Sequence, residues 1–350
     1  MIQQLLRGKL LYVMLLFFAA ALFYVGGAAH LRSMPLADTG PEIMQDAAPQ
    51  SWTSELDASV VKSAALTHPS IGLSFALLSV FIIGMTIGGM WLTLSGILTG
   101  RIRALWRGPF HHVTPWTFGE LIRVLLLGLV FFLLLPFARV SLMAVWPRLP
   151  TNNWFWVTIS MLVLDILLVL SIFAFAAAKA GSSRNVFGLT TRKFWQGVSA
   201  GFRGYMILFP WLFLLLLLVV RVARQFNLEP PIQPIHQLLF MEGQPLVLVL
   251  TVLLACTIGP IAEEVLFRGV LFGTIRRRNS RWIAMLVSGA IFAAVHSNWM
   301  GFLPIMVLGC FLADLYERTG TLISPIAVHI LHNTFLLHVA LAVRAVMEVQ

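Results

Sequence analysis

PLVLVLTVLLACTIGPIAEEVLFRGVLFG, residues 245–273, is an apolar run interrupted near its middle by two acids and a base, Glu263, Glu264 and Arg268. A helix crossing a bilayer needs roughly 20 apolar residues, and this stretch exceeds that length. Working outward, similar runs recur near 10–27, 72–98, 120–146, 155–178, 205–220, 283–300, 303–316 and 322–345. The pattern predicts an all-α, polytopic transmembrane helical bundle of about eight to nine spans. The runs at 283–300 and 303–316 are short, which predicts helices buried inside the bundle. Composition agrees. Of 350 residues, 59% are hydrophobic and only 11% charged, and the mean hydropathy is +0.89, far from the balance of a soluble domain.

The net charge of +10 would fit a nucleic-acid binder, but the basic residues sit in short clusters between apolar runs, as topology signals do. The partners expected from this are the lipid bilayer and no nucleic acid. Arg7, Lys9, Arg101, Arg103, Arg107, Lys179, Arg184, Arg192, Lys193, Arg203, Arg276, Arg277, Arg278, Arg281 and Arg318 fall on one side, while the other holds Arg32, Lys62, Arg148, Arg221, Arg224 and Arg344 together with Asp38, Glu42, Asp46, Glu55 and Asp57. The positive-inside rule therefore predicts a cytoplasmic N-terminus and an external segment near 28–70, which Pro35, Pro41, Pro49 and Pro69 make an irregular loop. The first apolar run, about 20 residues long, exceeds a signal-peptide core and predicts an uncleaved span. Two cysteines, Cys256 and Cys310, lie in separate apolar runs and suggest neither a disulfide framework nor a thiolate metal site. The chain divides into an N-terminal membrane region, 1–235, with about five spans, and a second region, 236–350, that holds the chemistry.

Ionisable groups within a span are costly unless paired or functional, so they mark where to look. On a helix, Glu264 and Arg268 stand four residues apart and can pair. Glu263 is rotated about 100° from Glu264 and must meet something else. The bland alternative is that both acids form one polar knot between helices. Pro260, just before them, removes a backbone donor and favours an opening in the helix. His296 shares a face with Phe292, and His329 shares one with Asn333; each alone is more simply a core or helix-gluing residue.

Depth draws these signals together. At about 1.5 Å per residue, Glu263 lies roughly 15 Å from Gly273, His296 about 20 Å from Ile283, and His329 about 10 Å from Leu322, which brings the three to one level. A carboxylate, two histidines and an asparagine around one cavity suit amide hydrolysis. A base takes a proton from water, a second group orients it, and donors stabilise the tetrahedral oxyanion. No serine, cysteine or threonine stands in a recognisable nucleophile motif, so water is the expected nucleophile. A competing reading makes Glu263, His296 and His329 a two-histidine, one-carboxylate site for a divalent metal such as zinc, although no HExxH pattern is present.

At these residues the chain resembles the CPBP family, the CAAX prenyl protease and bacteriocin-processing, Abi-like membrane endopeptidases. Two adjacent glutamates with an arginine four residues on (Glu263, Glu264, Arg268), phenylalanine then histidine (Phe292, His296), and histidine then asparagine (His329, Asn333) match the family's motifs in order and spacing. The resemblance covers about 245–340. It implies an intramembrane endopeptidase with Glu263 as base, His296 assisting water activation, and His329 with Asn333 lining the oxyanion site; Glu264 and Arg268 are shared motif residues. It also implies a membrane-associated protein or peptide substrate, CAAX-type or lipidated, and, through the wording around Glu263, a bacterial cell (inner) membrane. Two other classes compete: a non-catalytic immunity or chaperone-like partner that keeps the fold, and a transporter using Glu263 and Asp165 as proton carriers. Asp165 and Asp314 are otherwise read as paired or helix-end acids.

Overall fold

The computed structural model describes residues 58–100, 115–228, 239 and 243–349, without the side chains of Arg192 and Lys193. The expected span at 10–27 and most of the expected external loop lie outside these residues. Among the described residues ten helices form one bundle: α1 (Ala58–Thr67), α2 (Pro69–Leu98), α3 (Phe118–Val145), α4 (Asn153–Ala180), α5 (Ser183–Val186), α6 (Thr191–Gln225), α7 (Pro245–Arg276), α8 (Arg281–Val295), α9 (Phe302–Thr319) and α10 (Ile323–Met347). Six of them, α2, α3, α4, α6, α7 and α10, are long and apolar enough to cross a membrane. No strand occurs among the described residues. The chain is an integral membrane protein.

The ends of the helices follow local chemistry. Thr117 and Glu120 close a capping box on α3, Asn152 accepts hydrogen bonds from the amides of Trp154 and Phe155 at the start of α4, and Ser280 accepts one from Ile283 on α8. These side chains satisfy amides that have no partner inside a helix. Gly181 and Gly320 close α4 and α9 in the left-handed conformation, as helix-ending glycines do.

Two expectations change. The last part of the expected loop at 28–70 is helical: α1 carries Val60, Val61 and Ala64 against Ile71, Phe75 and Val346, and its sequence holds no proline or glycine to break it. The two short helices also differ from each other. α9 is deeply packed, with Leu308, Leu312, Ala313, Leu315 and Tyr316 buried. α8 buries only one stripe and exposes Trp282, Ile283, Leu286, Val287, Ile291 and Val295, so it lies at the edge of the bundle, with its apolar side outward, as a helix facing lipid does.

Two apolar clusters organise the interior. One joins Trp116, Ile172 and Phe187 to Val265, Val270, Phe272, Ala284, Tyr316 and Leu322. The other joins Met85, Tyr205, Phe209 and Leu212 to Leu312, Leu315 and Val328. Glycines set the closest approaches. A Cβ on Gly309 would lie 3.0 Å from Gly289 Cα, and one on Gly289 would lie 2.6 Å from Cys310 Sγ, so α8 and α9 cross with their backbones nearly touching.

Candidate active site

The site begins with a defect in α7. Residues Leu254–Ile258 and Val265–Phe272 are π-helical, a form that occurs mostly at functional positions. The local cause is readable. Gly259 gives its N–H to Leu254 O, and Pro260 has no N–H at all, so Ala255 O loses the partners on which it would otherwise draw. Asn333 Nδ2 on α10 donates to that carbonyl at 2.9 Å. The same residue that shares a helix face with His329 therefore closes the opening in α7 and ties the two helices together.

One turn further along α7, Glu264 and Arg268 are fully buried. Arg268 Nη1 donates to Glu264 Oε1 at 2.7 Å, and Nη2 donates to Gly309 O on α9 at 3.2 Å. The close crossing at Gly289 and Gly309 brings this carbonyl within reach. The guanidinium carbon also lies 4.2 Å from the ring centroid of Phe292, a cation–π distance. The pairing expected for Glu264 and Arg268 is present, but the carboxylate has a second partner. His329 Nδ1 lies 2.8 Å from the same Oε1. A carboxylate only accepts, so Nδ1 carries the proton and Nε2 turns the other way.

That second nitrogen faces Glu263. His329 Nε2 is 3.7 Å and His296 Nε2 3.9 Å from Glu263 Oε2. His296 is oriented by its own helix, with Nδ1 2.7 Å from Phe292 O, so its Nε2 is also left for the site. His296 caps α8, and Ser297 beyond it takes the left-handed conformation at φ 50°, which ends the helix at the imidazole. The Phe292 ring stands against both histidines, at centroid distances of 4.7 Å to His296 and 5.7 Å to His329. Glu263 Oε2 is buried without a hydrogen-bond partner. Separations of 3.7–3.9 Å exceed a direct hydrogen bond and are of the size that a shared water closes.

All six residues singled out from the sequence thus meet at one place: Glu263, His296 and His329 around one oxygen, Glu264 and Arg268 behind His329, and Asn333 at the break in α7. Among the described residues, no group of three or more histidine, cysteine, aspartate or glutamate side chains converges to hold a metal ion. Sequence reasoning missed the backbone partners, Ala255 O and Gly309 O, because a carbonyl carries no residue-type signal. It also missed Tyr205 on α6, buried and 2.8 Å from His332 Nδ1. Asp314 proves to be paired, with Arg281 and with Arg318 at 2.6 Å, and beside it Glu317 binds Arg276 at 2.9 Å, so the basic run after α7 is fastened to α9.

Comparison with known proteins matches residues 245–335 to the type II CAAX prenyl endopeptidase, Rce1-like family. Residues 245–335 are thus similar to an Rce1-like domain. All six site residues fall inside it. Over 86 residues the chain is 35% identical to the protein named as a membrane peptidase, YdiL, of Bacillus subtilis (strain 168), covering 25% of this chain and 35% of that one. It is 35% identical over 85 residues to the membrane-embedded CAAX protease MroQ of Staphylococcus aureus (strain USA300), covering 22% and 34%. It is 28% identical over 104 residues to an uncharacterised 24.3 kDa protein of Escherichia coli, covering 28% and 48%. The similarity thus spans about a third to a half of the length of these relatives. No solved structure matches.

Proposed function

We propose that this protein is an intramembrane endopeptidase that hydrolyses a peptide bond of a membrane-associated protein or peptide, with water as the nucleophile. The observation that carries the reading is the convergence of two imidazole nitrogens on one buried, unsatisfied carboxylate oxygen, Glu263 Oε2, inside an Rce1-like domain. Glu263 takes a proton from water held between it and His296. The water oxygen bonds to the scissile carbonyl carbon, and the proton passes on to the leaving amine as the C–N bond breaks. His329, with its Nδ1–H fixed on Glu264, presents Nε2 to the developing oxyanion when protonated there. The Asn333 amide has two donors, one of which serves Ala255 O, leaving the other for the oxyanion.

Substrates of the CAAX or lipidated kind suit a site at membrane depth. With most basic loop residues on the side of the N-terminus, a cytoplasmic N-terminus in a bacterial cell membrane completes this reading. The purified protein, reconstituted in proteoliposomes with a membrane peptide in ¹⁸O-water, is expected to release products carrying solvent oxygen in the new carboxyl group and to remain active after exhaustive chelation. Glu263→Gln is expected to abolish release at unchanged abundance. Full activity in that variant would exclude the mechanism, and activity lost to chelation and restored by zinc would move it to metal-activated water.

A further inference from the structure

Asp165 stands on α4, outside the Rce1-like domain, and no residue of that helix figures in the site as described. It lies 12 residues into a 28-residue span, which places it about 18 Å from the helix start and near the middle of the bilayer. It is half-buried and forms no ion pair or hydrogen bond among the described residues. Ionisable groups at that depth are ordinarily paired or functional. Unlike Asp314, which has two arginines, Asp165 is in no ion pair with a cation among the described residues. Its position is specific: Oδ2 lies 3.8 Å from where a Cβ on Gly259 would be.

Gly259 is four residues before Glu263. Side chains on a helix lean towards its N-terminus, so Glu263 covers the turn that contains Gly259. The missing Cβ leaves room beside the turn that Glu263 covers, and the two carboxylates stand near enough for their charges to repel. The groups around them are few. Glu263 also faces His296 and His329 and feels Arg268, whose charge is matched by Glu264. α4 packs against α3, α5 and α7. On α3, Glu120 is bound to Lys179 and Arg139 to Asn153, both near the ends of α4; Arg123 stands one turn after Glu120, and α5 carries Arg184 beyond the end of α4. On α7, Glu263 is the charged group next to Asp165.

Two carboxylates beside one membrane-embedded glycine repel each other, and a proton held on one of them turns that repulsion into a hydrogen bond. We infer that Asp165 is a positioning residue of the hydrolytic site: it holds one proton and donates it as a hydrogen bond, directly or through one water, to Glu263. The inference rests on the hydrolytic reading of Glu263. The proton on Asp165 is not consumed. It fixes the Glu263 carboxylate towards His296 and His329, while the proton from water enters and leaves through Glu263.

The amide of Asp165→Asn can still donate, whereas Asp165→Leu cannot. With a membrane peptide as substrate in proteoliposomes, Asp165→Leu is expected to lower kcat by about ten- to a hundredfold with KM within about twofold, and Asp165→Asn to recover most of the loss. Equal loss in both variants, or none in the leucine variant, overturns the inference. Infrared spectroscopy decides it without turnover. The C=O stretch of a protonated carboxyl group should be present in the unsubstituted protein and absent from Asp165→Asn; an unchanged band contradicts the shared proton. If the unsubstituted protein cleaves nothing, the hydrolytic reading fails by itself, and the infrared result still shows whether Asp165 holds the proton.

Discussion

Glu263 and Glu264 are neighbours in sequence with opposite surroundings. Glu264 is fully buried and its Oε1 is bound by both Arg268 and His329, while among the described residues no ion pair closer than 3.7 Å holds Glu263; each acid keeps an Oε2 without a hydrogen-bond partner. Substituting each should therefore fail differently. Glu264→Gln leaves the buried Arg268 short of its counter-charge, and losing one partner of a buried pair costs about 3–5 kcal/mol. Its expected mark is reduced abundance and a lower unfolding temperature in detergent. Replacing Glu264 and Arg268 together by leucine should restore part of that stability, since apolar replacement of a buried pair is often neutral. It should not restore cleavage, because His329 then lacks the acceptor that sets its tautomer. A double variant as active as the unsubstituted protein would remove Glu264 from the chemistry. The division between the two acids was legible in the sequence from the four-residue spacing to Arg268. That one oxygen of Glu264 serves both Arg268 and His329 was not, because nothing local fixes a contact between α7 and α10.

At the scale of the element, α7 is a span built around a break. Pro260 and the π-helical stretch free Ala255 O, and Asn333 takes it. Pro260→Ala restores an N–H that can reach Cys256 O and so favours a regular helix, in which Gly259 N–H turns to Ala255 O and competes with Asn333. Stability should be unchanged or higher, yet turnover should fall by about a hundredfold if Glu263 shifts by about 1 Å. Thermal unfolding and kcat measured on one preparation check both halves, and unchanged turnover would show that the break is incidental. The proline announced an opening in the sequence, but the register of the π turns follows from packing. The crossing of α8 and α9 is a second element-scale device: Gly309→Val places a Cβ about where Gly289 stands. Overpacking of this kind costs about 1–3 kcal/mol, and it should also loosen Arg268 from Gly309 O.

Across the whole molecule, helices from before the Rce1-like domain hold the site's outer side. Tyr205 on α6 binds His332, one helical turn from His329 on α10, and Asp165 on α4 borders Gly259. Tyr205→Phe removes one hydrogen bond, costing about 0.5–1.5 kcal/mol, and turnover should drop with little change in KM as α10 gains freedom to rotate. Equal kcat in the variant would confine α6 to packing. Fold class and most spans were readable because lipid demands long apolar helices. The α1 helix was not, since its short, weakly apolar sequence takes its structure from contacts with Ile71, Phe75 and Val346. The most direct test of the account is kcat for Glu263→Gln beside the unsubstituted protein, at matched abundance and in the same proteoliposomes. A fall of about 10²–10⁴-fold, the range for loss of a general base, is the expected result, and a kcat within about twofold would contradict it.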